Sequence, residues 1–266
     1  MSAVLQGDNE RMLVRRDEGG VAYLTLNRPA QFNSLSQAML ETLIAEIDAL
    51  AQDASVRVVV LGGEGKAFCA GHDLKEMRGN PALEFQQALF RLCSKFMMKL
   101  VELPQPVIAR VHGIATAAGC QLVSMCDLAV AADVARFAVS GINVGLFCAT
   151  PSVGLSRNVG RKEAFEMLVT GDFIDAHEAQ RRGLVNRVVP LEQLDEEIAK
   201  LTASICAKSP VAIRMGKQMF YRQLEMGMDA AYQTAAETMA CNMMTEDAGE
   251  GIDAFVGKRK PEWRGR

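Results

Sequence analysis

The sequence predicts an α/β fold. Two observations predict it: five short runs of strand-forming residues are separated by stretches of helical periodicity, and beyond about residue 190 only helical stretches remain. Strands alternating with helices favour a parallel sheet, because a parallel crossover needs a helix-length connection.

The strand-type runs are Val21–Leu26, Val56–Leu61, Val107–Val111, Leu128–Ala131 and Leu184–Val189. Between the first two, Met39, Leu40, Leu43, Ile44, Ile47 and Leu50 recur at steps of three and four behind Ser36, a suitable N-cap. That segment is predicted to be an amphipathic helix packed on the sheet. From Leu191 the chain reads as four helical stretches broken near Ser209–Pro210, Gly227 and Gly249–Gly251, which predicts a core over residues 1–190 and a helical region over 191–266. In that region Met215/Met219 and Met239/Met243 sit at i,i+4 spacing. They make a soft apolar face that either packs on the chain's own domain or is buried against another copy of the chain, the second being the expected use.

Composition excludes several classes. The 266 residues are 49% apolar and 23% charged, a balance that supports a sizeable core and rules out a disordered chain. A net charge of −3 gives no overall basic field for nucleic acid or an anionic membrane, and Arg15-Arg16 and Arg181-Arg182 are scattered pairs rather than an RNA-binding stripe. Seven cysteines without a C-x-x-C pair imply neither a disulfide framework nor a zinc site, and no metal is expected. Cys69, Cys120, Cys126 and Cys148 lie in apolar surroundings and read as small buried thiols. The opening MSAVLQGDNE has neither a secretory nor a transit pattern, so a cytoplasmic location is expected.

Two segments share one layout. VVVLGGEGKAFCAGHDL and PVIARVHGIATAAGCQL each run from an apolar strand through a Gly/Ala-rich loop into a helix, about 45 residues apart. Two helix N-termini would then face one crevice. Their free N–H groups bind negative charge, and small residues let a ligand approach the backbone. Neither loop has the P-loop or G-x-G-x-x-G spacing.

Over nearly its whole length the chain resembles the crotonase (enoyl-CoA hydratase/isomerase) family, from LTLNRPAQFNSLS through AFCAGHDLKEM and GIATAAGCQLVSMCDLAVAAD to FVGKRKPEW. GHDLKEM, ATAAGCQL, NVGLFC and KRKPEW resemble one subgroup of it, whose chemistry is poorly defined. The resemblance implies a crotonase-like ββα spiral core with a C-terminal helical trimerisation region. It also implies an acyl-CoA or enoyl-CoA thioester as ligand, no cofactor beyond the coenzyme A of the substrate, and a homotrimer or dimer of trimers.

Carried over by position, the resemblance puts the two donors to the thioester oxygen on the backbone N–H groups of His72 and Ala118. It puts coenzyme A contacts on Arg28, Ala30, Lys66, Ala70, Asp73, Leu74 and Lys75, with Lys258 near the C-terminus. Asp73 also reads as the cap of the following helix. The two glutamates of the hydratases fall on Gln121 and Gly141, and the acid of the dienoyl isomerases falls on Ala149. Hydration needs a carboxylate to activate water and an acid to protonate the α-carbon, and an amide and a hydrogen atom supply neither. Ser140, Asn143, Cys148 and Thr150 remain as uncharged polar groups nearby. The expectation is therefore weak or atypical chemistry, such as decarboxylation of a malonyl-type thioester or slow thioester hydrolysis, with a non-catalytic acyl-CoA binder as the alternative. Glutamate at both 121 and 141 is expected to raise hydration, unless Gly141 has a positive φ that penalises a side chain.

Overall fold

The computed structural model describes residues 11–266, so the leader expectation drawn from MSAVLQGDNE lies outside the described residues. The elements are β1 (Leu13–Glu18), β2 (Val21–Leu26), α1 (Gln37–Ala51), β3 (Val58–Gly63), β4 (Ala67–Cys69), α2 (Leu74–Gly79), α3 (Leu83–Glu102), β5 (Val107–Val111), β6 (Ile114–Thr116) and α4 (Ala118–Met125). They continue as β7 (Leu128–Ala132), β8 (Arg136–Ala138), α5 (Ala149–Asn158), α6 (Arg161–Thr170), β9 (Ile174–Asp175), α7 (Ala176–Arg181) and β10 (Arg187–Val189). The helices α8 (Leu194–Cys206), α9 (Pro210–Gln223), α10 (Met228–Met243) and α11 (Glu246–Val256) follow.

Two sheets share the chain. The first has the order β1-β2-β3-β5-β7-β10 and is parallel except for the β1–β2 hairpin. The second has the order β4-β6-β8-β9, with β9 alone antiparallel. The pairs β3–β4, β5–β6 and β7–β8 each place one strand in either sheet before the chain turns into a helix, which makes the core a ββα spiral. Strand alternation sorts the core: Val59 and Leu61 face the large cluster containing Phe68, Phe96 and Phe137, while Val58 and Val60 face a smaller one closed by Leu194 and Ile198 of α8.

Local chemistry explains the boundaries. Ser36 caps α1 by accepting a hydrogen bond from the Met39 N–H at 3.2 Å, and Met39, Leu40, Leu43, Ile47 and Leu50 are all buried beneath it. Val56 is buried but outside β3, because its N–H donates back to Asp53 O and closes a turn. Leu184 likewise donates to Ala179 O at the end of α7, which delays β10 to Arg187. The expected break at Gly249–Gly251 falls instead at Met244–Thr245. Thr245 caps α11 by accepting from the Ala248 N–H at 3.1 Å, and two acidic residues follow it. That start offsets the roughly 1 kcal/mol that each interior glycine costs a helix.

In the C-terminal region, α9 is tied to the core by a buried, fully bonded ion pair. Lys217 Nζ donates to Asp127 (2.7 Å), Leu100 O (2.8 Å) and Gln105 O (3.0 Å), and Tyr221 OH donates to Asp127 (2.8 Å). Met215 and Met219 are respectively half-buried and half-buried on α9, whereas Met239 and Met243 on α10 are exposed. Among the described residues no helix is long and apolar enough to cross a membrane.

Candidate active site

The two Gly/Ala loops of the sequence meet. The first joins β4 to α2 and carries Ala70, Gly71, His72 and Asp73; the second joins β6 to α4 through Ala117. Gly71 has a φ of +92°, and a Cβ there would stand 2.9 Å from the Ala117 Cβ and 3.0 Å from the Ala118 nitrogen. A Cβ at Gly119 would stand 2.0 Å from Cys69 O, so α4 begins directly against β4. Ala117 is held at φ 51°, ψ −120°, a strained backbone state for a residue with a side chain, and its N–H is tied to Ala138 O at 3.0 Å. Such strain persists only where the surroundings fix it.

This contact brings two N–H groups together. Ala118 is the first residue of α4, where a helix has no internal acceptor for its N–H. At His72, the bridge to Leu35 uses the Leu35 N–H and Gly71 O at 2.8 Å, leaving the N–H of His72 without a backbone acceptor. Both residues line one cavity of about 600 Å³. Its other walls are Met77, Phe90, Leu146 and Phe147, apolar residues from α2, α3 and the segment before α5.

Asp73 accepts from the N–H groups of Lys75 (3.1 Å) and Glu76 (3.2 Å), capping α2, and pairs with Arg28 at 3.7 Å. It is the lone carboxylate residue lining the cavity among the described residues, and it is committed. Glu76 accepts from the Gln37 N–H at 3.0 Å and does not line the cavity. The His72 Nδ1 lies 3.2 Å from Leu35 O, so it carries the ring proton, and Nε2 is a bare lone pair with no partner. Burial lowers the His72 pKa, which keeps the ring neutral at pH 7. Its edge packs against Phe90 at 5.4 Å between centroids.

Of the residues singled out in the sequence, Ala30, Ala70, His72, Asp73, Leu74, Lys75, Ala118 and Gly141 line the cavity, as do Ser140, Cys148, Ala149 and Thr150. Arg28 does not; its guanidinium is turned onto Ser36 Oγ (3.1 Å) and Asp73. Lys66 and Lys258 are exposed away from the lining, and Asn143 reaches Gly171 O at 3.4 Å instead. Gln121, on α4, is 4% exposed and does not line the cavity, and its Oε1 has no hydrogen-bond partner. Gly141 is outside the positive-φ region, so the penalty anticipated there has a different origin: a Cβ would lie 2.6 Å from Leu146 O and 2.8 Å from Cys148 Sγ. Cys69, Cys120 and Cys126 are buried away from the cavity lining, whereas Cys148 lines it.

Phe32, Met77, Phe90, Val144, Leu146 and Phe147 were given no role of their own in the sequence, although all but Phe90 lie in the quoted motifs. They come from four separate segments, and an apolar residue in a motif carries no local signal that it walls a cavity rather than the ordinary core.

The family model described as enoyl-CoA hydratase/isomerase matches residues 16–266. The chain is 44% identical over 253 residues to "Enoyl-CoA hydratase domain-containing protein 3, mitochondrial" of Rattus norvegicus, covering 95% of this chain and 84% of that one. This is the subgroup that GHDLKEM, ATAAGCQL, NVGLFC and KRKPEW resemble. Among solved structures, an enoyl-CoA hydratase of Mycobacterium smegmatis superposes with a TM-score of 0.94 at 61% identity, covering 96% of this chain and 99% of its own. Human enoyl-CoA hydratase domain-containing protein 3 superposes at 0.93 with 43% identity, covering 95% and 100%. The cytoplasmic expectation does not survive these comparisons, because the relatives of that name from Rattus norvegicus, Xenopus laevis and Homo sapiens are all called mitochondrial.

Proposed function

The chain belongs to the enoyl-CoA hydratase/isomerase family, and we propose on that premise that it binds acyl-CoA or enoyl-CoA thioesters and polarises their carbonyl between the backbone N–H groups of His72 and Ala118. The observation that carries this reading is the contact of the two loops, in which a Cβ at Gly71 would come within 3.0 Å of the Ala118 nitrogen. Two preorganised donors in a water-poor cavity stabilise the negative charge that develops on a thioester oxygen, at roughly 3–4 kcal/mol for each.

The chemistry of the family at large is hydratase and lyase chemistry, and in our reading this member performs it weakly. Gln121 and Gly141 stand where the resemblance puts the two glutamates, and Asp73 is committed to capping α2. Reactions that generate the enolate without proton abstraction by the protein remain available, decarboxylation of a malonyl-type thioester first among them. Coenzyme A would run along Ala30, Ala70, Leu74 and Lys75 at the mouth, with Arg28, Lys66 and Lys258 reaching it only after side-chain movement. No cofactor beyond the coenzyme A of the substrate enters this proposal.

Binding is tested by thermal denaturation with butyryl-CoA, a saturated thioester. At about 100 times its dissociation constant the ligand adds roughly 2.7 kcal/mol of stability. No rise in melting temperature at millimolar butyryl-CoA contradicts the proposal.

We also propose that the region 191–266 mediates assembly into a trimer or a dimer of trimers. Met239, Tyr232 and Phe255 are 64%, 73% and 86% exposed, an apolar surface that a monomer leaves in water. Light scattering is expected to give a multiple of the 28.9 kDa chain mass, and a monomer at micromolar concentration contradicts it.

A further inference from the structure

The cavity contains a buried thiol at a telling place. An ideal Cβ at Gly141 would lie 2.8 Å from Cys148 Sγ, so the sulfur occupies the space into which a glutamate at 141 would extend. The Gly141 N–H donates to that sulfur at 3.3 Å, fixing it against the loop. Cys148 and Ala118 line the same cavity. Gln121, three residues beyond Ala118 on α4, is 4% exposed and leaves Oε1 without a partner, but it does not line the cavity.

We propose that Cys148 is the proton donor of this cavity, protonating the α-carbon of a thioester enolate held by the His72 and Ala118 N–H groups. The proposal rests on the reading of the cavity as a thioester-polarising site. Elimination among the described cavity residues supports it. Asp73 is an ionised cap, His72 uses its single ring proton on Leu35 O and presents only a lone pair, and Lys75 is exposed at the mouth. The hydroxyls that line the cavity, of Ser34, Ser140 and Thr150, are far weaker acids than a thiol, and that of Ser140 is bonded to Thr116 at 2.7 Å. Burial raises the Cys148 pKa, so the thiol keeps its proton at neutral pH, which suits an acid and not a nucleophile.

The step balances within the substrate and the thiol. When a malonyl-type thioester loses carbon dioxide, the electron pair of the broken C–C bond becomes the enolate. The S–H bond then breaks, a C–H bond forms at the α-carbon, and the thiolate, held by the Gly141 N–H, regains a proton from water.

Decarboxylation of methylmalonyl-CoA in D₂O tests the role, with wild type, Cys148→Ala and Cys148→Ser compared for rate and for the configuration of deuterium in the propionyl-CoA formed. Wild type is expected to deliver deuterium to one face. Both variants are expected to bind butyryl-CoA within about twofold of wild type, react about 10²-fold more slowly and scramble the label, since a positioned acid is worth about 10²–10⁴ in rate. A structural cysteine would leave the configuration unchanged, and single-face labelling at wild-type rate in both variants overturns the proposal. If Cys148→Ala melts early, Cys148→Ser preserves the volume and decides the matter alone. Absence of turnover by wild type overturns the decarboxylation reading itself, and the donor role with it.

Discussion

Wild-type protein is expected to hydrate crotonyl-CoA at least about 10⁴-fold more slowly than a hydratase carrying both glutamates, because each positioned acid or base supplies about 10²–10⁴ and both positions lack one. The cavity provides no substitute: Asp73 accepts two backbone N–H groups and Glu76 is bonded to Gln37 outside it. Reinstating the carboxylates is harder than the sequence suggested. Gln121→Glu places a carboxylate on α4 without a change in size and is expected to gain less than about tenfold, since groups that act as a unit are strongly non-additive. Gly141→Glu drives its Cβ against Leu146 O at 2.6 Å, a backbone atom that cannot rotate away, and against Cys148 Sγ. Overpacking of this kind costs about 1–3 kcal/mol. The double variant Gln121→Glu, Gly141→Glu is therefore expected to melt several degrees lower and to hydrate little faster than wild type. Rates and melting temperatures measured together check this. Hydration by wild type at an ordinary hydratase rate shows that Gln121 and Gly141 are not the two positions.

The centre of the first sheet was legible because β2, β3, β5 and β7 are five or six residues long, enough to show themselves. Val58–Leu61 is a continuous apolar run and Val107–Val111 is broken only by the half-buried Arg110, close to what strands buried on both faces require. Ser36 and the five buried residues behind it gave α1 for the same reason, a strong periodic signal with a cap. The second sheet was not legible. Ala67–Cys69, Ile114–Thr116 and Arg136–Ala138 are three residues each, too short for a period of two to register, and only their tertiary neighbours make them strands. The hairpin strand Leu13–Glu18 was missed because four of its six residues are charged. At the site, the two loops could be found because glycine and alanine mark a close approach of backbones. The sulfur of Cys148 beside Gly141 could not, since seven residues separate them and the turn that joins them is set by Leu146 donating to Gly141 O.

Gly71→Ala is expected to disable the proposed thioester site. Its φ of +92° strains any L side chain, and the new Cβ presses on Ala117 and on the Ala118 nitrogen, so the loops must part. Together these effects are expected to destabilise the fold by about 2–4 kcal/mol. Displacing one oxyanion donor costs about 10²–10³ in any reaction that passes through a thioester enolate. Because the proposed donors are backbone groups, no side-chain deletion at His72 should do the same, and His72→Ala is expected to keep carbonyl polarisation. The most direct measurement is the infrared stretch of the thioester carbonyl in bound, carbonyl-labelled crotonyl-CoA. In wild type it should move to lower frequency than in water, remain there in His72→Ala, and return toward the aqueous value in Gly71→Ala at a temperature where that variant is folded. A bound carbonyl in wild type that vibrates as it does in water contradicts the account.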